Sequence, residues 1–152
     1  MEGTAIPEVG KSAEAFFASG FYCAESVVLA IARDMGIDSE VLPNAATGFC
    51  SGMSRTCGIC GALTGAIMAV GLSLGRSTPT DSVAPAYIAT QQLVRAFESE
   101  FGSRDCSVLL GGCDLSTPEG QEMFTAQGLG RRCQQITGKA AEMAARVLVA
   151  KR

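Results

Sequence analysis

Histidine is missing from all 152 positions of this chain, and so is tryptophan. Without an imidazole there is no Ser-His-Asp catalysis, no Cys-His proteolysis and no histidine-bound zinc or haem. Charge is scarce as well, at 18% of residues, against about a quarter in ordinary globular proteins. The 12 basic residues are scattered; Arg131-Arg132 is the one doublet away from the C-terminus, and it reads as solvated. With no basic stripe and no interleaved aromatics, nucleic-acid binding is not expected. A poorly charged surface suggests one that is partly covered, so a homodimer is expected.

Long hydrophobic runs are missing too. The longest, residues 61–75, is shorter than the roughly 20 residues a membrane crossing takes, so it reads as a buried helix and no membrane insertion is expected. The first residues carry neither a positive nor an apolar stretch of the kind a signal peptide needs. A cytoplasmic location follows as the expectation. Thiols stay reduced there, so the odd set of seven cysteines is not read as a disulfide framework.

What is present is helical punctuation. Residues 11–19 read as a helix stopped by Gly20, and residues 23–35 as another stopped by Gly36. Asp38 is the expected N-cap of a short helix ending before Gly48, with Pro43 near its first turn. The central helix, residues 60–75, carries a smooth face of Gly61, Gly65, Ala69 and Ser73 opposite Leu63, Ile67, Val70 and Leu74. Asp81 is the expected cap of the next helix, which has Pro85 in its first turn, Tyr87, Val94, Phe97 and Phe101 on one face, and its end at Gly102. Asp105 is placed to cap residues 106–110, and Thr117-Pro118-Glu119 has the order N-cap, N1 proline, first-turn acid. The last helix spans roughly residues 131–150. No alternating strand pattern, repeat or low-complexity tract is visible. The expectation is all-α: residues 1–152 as a single cysteine-rich compact domain of about seven helices around a central Gly/Ala-rich one. Glu14, Glu25, Glu40, Glu98 and Glu100 are read as solvated carboxylates.

The cysteines are the chemistry. Cys23, Cys60 and Cys106 open helices, and Cys133 falls in the first turn of the last one. Free backbone N–H groups at a helix start favour an anion and lower a thiol pKa. Four such ends brought together would suit thiolates, metal-bound or reactive. Cys50, Cys57 and Cys113 lie in Gly/Ser-rich loops and are secondary candidates, as a second site or as resolving thiols. Cysteine is also a common core residue, which is the reading for any one of them taken alone.

Several blocks share an order. Gly20-Phe21-Tyr22-Cys23-Ala24 comes first, then Gly48-Phe49-Cys50-Ser51-Gly52-Met53-Ser54-Arg55 with Cys60-Gly61-Ala62-Leu63-Thr64-Gly65. Cys106-Ser107-Val108-Leu109-Leu110-Gly111 and Cys133 complete the set. Together these resemble the C_GCAxxG_C_C family, described as redox-active and named for a C-G-A-x-x-G motif among spaced cysteines, over roughly residues 16–147. The resemblance implies a small helical protein with four characteristic cysteines, here Cys23, Cys60, Cys106 and Cys133. It also implies kinship with a domain of split-Soret cytochromes, in which a comparable set holds an iron–sulfur cluster. This chain departs in lacking CxxCH and any histidine, so no haem is expected. It also has Cys50 and Cys57 where glycine is more usual.

Three functions compete. The first is a 2Fe–2S or 4Fe–4S cluster held by Cys23, Cys60, Cys106 and Cys133, passing electrons to a redox partner protein. The second is a dithiol/disulfide oxidoreductase in which Cys60 attacks and Cys57 resolves, with Arg55 favouring the thiolate. The third is a structural zinc module, disfavoured because closed Cys₄ sites usually use two CxxC pairs and only Cys57–Cys60 is present.

Overall fold

A computed structural model describes residues 5–151. Among them the secondary structure is helical, with one isolated antiparallel bridge between Ile59 and Asp105. In chain order the elements are α1 (Ile6–Ala18), α2 (Cys23–Asp34), α3 (Val41–Ala46), a 3₁₀ turn (Thr47–Phe49), α4 (Cys50–Arg55), α5 (Gly61–Leu74), α6 (Ala84–Phe101), α7 (Cys106–Leu109), α8 (Pro118–Ala126) and α9 (Gly130–Val149). The all-α expectation holds, with eight right-handed α-helices among the described residues where about seven were expected. The segment α4 is different in kind. Ser51, Gly52, Met53 and Ser54 have φ of 57 to 66°, and Arg55 has φ 65°. It is a short left-handed turn.

Helix α2 is the buried centre, with Val27, Val28, Ala24 and Ala30 fully enclosed. It packs on α1, α5 and α9, and α9 in turn packs on both α1 and α5. The small face of α5 explains how closely α2 and α5 approach. A Cβ on Gly65 would stand 2.8 Å from the Cα of Ala24, and one on Gly61 would meet the Cys23 sulfur. Of that face Gly61, Gly65 and Ala69 are buried, whereas Ser73 is exposed beyond the last contact. Antiparallel α1 and α9 interlock through paired small and long residues. Glu142 lies over Gly10, and Glu14 lies over Gly138.

Several helix limits differ from expectation for identifiable reasons. Helix α1 begins at Ile6, with Pro7 in its first turn, where proline has no N–H to lose. Asp38 caps nothing: α3 starts after Glu40, and the Ser39 hydroxyl accepts the Val41 N–H. Asp81 does not cap α6 but accepts the Ser77 and Thr78 N–H groups at 2.9 and 3.1 Å, closing the loop before it. The buried stripe of α6 is Ala89, Leu93 and Phe97. Tyr87 lies two residues from Ala89, about 200° around the helix, and is 61% exposed. The Thr117 cap is as expected, its hydroxyl accepting the Gly120 N–H. A second, smaller apolar cluster is built on Cys106, Leu110 and Cys113, with Leu115, Phe124 and Cys133 against it.

Candidate functional site

The starts of α2, α5, α7 and α9 meet at one end of the bundle around a cavity of about 300 Å³. Cys23, Cys60, Cys106 and Cys133 all line it. Cys23 is the first residue of α2, Cys60 the N-cap of α5, Cys106 the first residue of α7, and Cys133 the fourth of α9. Phe17, Tyr22, Leu109, Phe124 and Ile136 form the apolar wall, while Ser51 and Arg55 reach it from the left-handed turn.

Two backbone hydrogen bonds bring the second and third cysteines side by side. Cys60 N–H donates to the Arg104 carbonyl at 2.8 Å, and Cys106 N–H donates to the Gly58 carbonyl at 3.0 Å. These bonds form the isolated bridge and hold the starts of α5 and α7 next to each other. Glycine is required on both flanks. A Cβ on Gly52 would stand 2.7 Å from the Cβ of Cys106, and Gly52 also has positive φ.

The helix starts do not make Cys60, Cys106 or Cys133 acidic. Burial pushes Cys60 up to about 11, despite the N–H groups of Ala62 and Leu63, which pull the other way. Burial likewise raises Cys106 to about 11, with the sulfurs of Cys57 and Cys113 adding to it. Cys133 is pushed up to about 12, first by burial and then by Cys60, Cys106 and Cys113. Desolvation exceeds the helix-end field here because the thiols are enclosed rather than at a wet helix end. An attacking Cys60 thiolate with a lowered pKa, as the disulfide-exchange reading requires, is therefore not what the geometry provides.

The other cysteines divide. Cys57 is exposed, off the cavity, and donates to Asp114 Oδ1 at 3.0 Å; that hydrogen bond raises its pKa. Cys113 is buried and donates to the Gly120 carbonyl at 3.1 Å. Cys50 is buried behind Cys23, its sulfur 3.7 Å from Glu25 Oε1 and 3.7 Å from the Ala46 carbonyl. Arg55 reaches the cavity wall, but it is not among the influences on Cys60.

Two residues escaped the sequence reading. Glu25, expected to be solvated, is 9% exposed. Its carboxylate accepts the Tyr22 N–H at 2.9 Å and the Thr47 hydroxyl at 2.8 Å. Its position three residues after Tyr22, as in a capping box, was the available signal. Arg132, taken for one of a solvated pair, lowers the pKa of both Cys60 and Cys133. Its guanidinium lies 5.5 Å from the Phe101 ring centroid.

The sequence profile of the C_GCAxxG_C_C family, described as "Putative redox-active protein", matches residues 21–147. The chain belongs to the C_GCAxxG_C_C family. All four of the expected cysteines fall within the matched residues of the C_GCAxxG_C_C family, as do Cys50, Cys57 and Cys113. An uncharacterized protein of Archaeoglobus fulgidus is 30% identical over 130 residues, covering 80% of each chain. No solved structure matches.

A cysteine-held cofactor can be tested against the cavity itself. Four soft donors surround it, glycines at 52 and 61 leave the cysteine sulfurs room, and Arg132 supplies a cation beside two of them. This donor set suits iron–sulfur or zinc and no hard cation. Among the described residues no three His, Cys, Asp or Glu side chains gather as one metal ion would need.

Proposed function

We propose that Cys23, Cys60, Cys106 and Cys133 hold an iron–sulfur cluster, of the 2Fe–2S or 4Fe–4S type, and that the protein passes single electrons to a redox partner protein. The observation that carries this reading is that one cavity is lined by these four thiols from four separate helix starts. When bound, such a cluster supplies one-electron chemistry over a range of potentials tuned by hydrogen bonds and exposure. The chain's own part is to present and insulate. Burial holds Cys60, Cys106 and Cys133 as thiols at neutral pH. They become ligands only when a cation replaces their protons. The N–H groups of Ala62 and Leu63 point at the Cys60 sulfur and stabilise negative charge there, and Arg132 does so from the side. The aromatic wall of Phe17, Tyr22 and Phe124 limits water. The partly exposed Tyr22 and Phe21 at this end offer a contact surface to the partner protein.

Purification without oxygen, with visible absorption and with iron, acid-labile sulfide and zinc measured per chain, tests the proposal. Reconstituted protein should show sulfur-to-iron charge-transfer bands with iron and sulfide in stoichiometric amounts. Cys60→Ser and Cys133→Ser should lose them, while Cys57→Ser keeps them. Protein with neither iron nor sulfide after reconstitution would overturn it.

A further inference from the structure

We propose that Cys23 and Cys50 form a dithiol pair that closes to a disulfide by exchange with a low-molecular-weight disulfide, taking Cys23 out of the cavity's thiol set.

The two residues meet at one point. The place where a Cβ on Gly61 would stand is already filled by the Cys23 sulfur on one side and by the Cα of Cys50, at 3.1 Å, on the other. Cys23 faces the cavity and Cys50 does not. The two are 8% and 4% exposed, so Cys23 is the one an incoming molecule reaches from the cavity and Cys50 sits behind it. The Cys50 thiol is held towards α2 by Glu25.

Cys50 is also the residue best placed to move. It has extended backbone, φ −69° and ψ 157°, between the 3₁₀ turn and the left-handed segment. A rotation there shifts its sulfur without disturbing α2, whereas Cys23 is fixed in the first turn of the most buried helix. Cys60, Cys106, Cys113 and Cys133 influence one another, and Cys57 is bonded to Asp114.

The exchange balances in two steps. Cys23 attacks a disulfide RSSR that has entered the cavity, forming a Cys23–S–S–R bond and releasing one RSH that carries the Cys23 proton. Cys50 then attacks the Cys23 sulfur from behind, and the second RSH leaves with the Cys50 proton. Two thiols are oxidised to one disulfide, and RSSR is reduced to two RSH. The consequence for cluster loading rests on the function proposed above, but the disulfide itself does not.

Metal-free, fully reduced protein treated with oxidised glutathione, quenched by alkylation and mapped by mass spectrometry, decides the matter. Wild type should accumulate a Cys23–Cys50 cross-link, and Cys50→Ser should stop at a glutathione adduct on Cys23. Cys50→Ala gives the same readout should the serine unsettle the core, with folding checked by circular dichroism. A persistent wild-type adduct on Cys23, or a first cross-link between any other two cysteines, would overturn the proposal. Oxidised wild type should also take up less iron and sulfide than the same sample after dithiothreitol. If reduced protein takes up none, the proposed function fails while the cross-link result still stands or falls alone.

Discussion

Gly65 and Gly71 stand on the same helix and have opposite reasons to be glycine. At Gly65 a methyl group would press on the backbone of Ala24, its Cα 2.8 Å away, and backbone on a buried helix cannot yield cheaply. Gly65→Ala should destabilise the fold by about 1–3 kcal/mol, the usual cost of overpacking. At Gly71 nothing lies within 4 Å, and only helix propensity is at stake. Gly71→Ala should stabilise by about 0.5–1 kcal/mol. Urea denaturation of both variants checks the pair; equal effects would show that the α2–α5 contact is looser than described. The small face of α5 was legible because glycine and alanine recur every four residues. Which glycine touches backbone depends on the path of α2 and was not legible. The same limit hid Glu25: its partner Thr47 lies 22 residues away, and local pattern does not carry that distance.

Among the elements, those ended or opened by distinctive residues were readable. Gly20, Gly36 and Gly102 follow helices and take positive φ, and Thr117-Pro118 opens one. The left-handed α4 has no comparable signature, since four of its five positive-φ residues are Ser51, Met53, Ser54 and Arg55. Non-glycine residues in that conformation cost roughly 1–2 kcal/mol each. They persist because the Gly52 carbonyl accepts the Thr56 and Gly58 N–H groups, and the Ser54 hydroxyl donates to the Gly48 carbonyl. Ser51→Gly should therefore stabilise metal-free protein by up to about 1 kcal/mol; a loss of stability would mean that the turn is right-handed in solution. The loop before α6 gives a pH-dependent test. The Ser77 and Thr78 N–H groups hold the Asp81 carboxyl below its ordinary value of 3.8. A depressed carboxyl contributes stability above the unfolded value, and that contribution is lost as pH falls through the folded one. Asp81→Asn should be the less stable protein at neutral pH and converge with wild type as pH falls below the ordinary carboxyl range, as a series of denaturation midpoints would show.

At the scale of the molecule, the four cavity cysteines are 23, 60, 106 and 133, spread across most of the sequence, yet they meet at one end of the bundle. Their convergence was an assumption from sequence, because helix starts can be placed locally whereas the direction each helix takes cannot. The fold achieves it by stacking α1, α2, α5 and α9 and by clamping α7 to the start of α5 through the Ile59–Asp105 bridge. Helix α6 contributes no cysteine and packs on α5 and α9 away from the cavity. Ligation at the cavity should then protect the chain unevenly. Residues 50–60 and 104–110 are held mainly by a few backbone bonds, so they stand to gain from being tied together. In amide hydrogen exchange, loaded protein should slow these segments and the first turns of α2 and α9, while α6 exchanges as in metal-free protein. Equal slowing across α6 would mean that loading raises global stability without local ties among the four helix starts. No change in residues 50–60 and 104–110 would remove Cys60 and Cys106 from the ligand set.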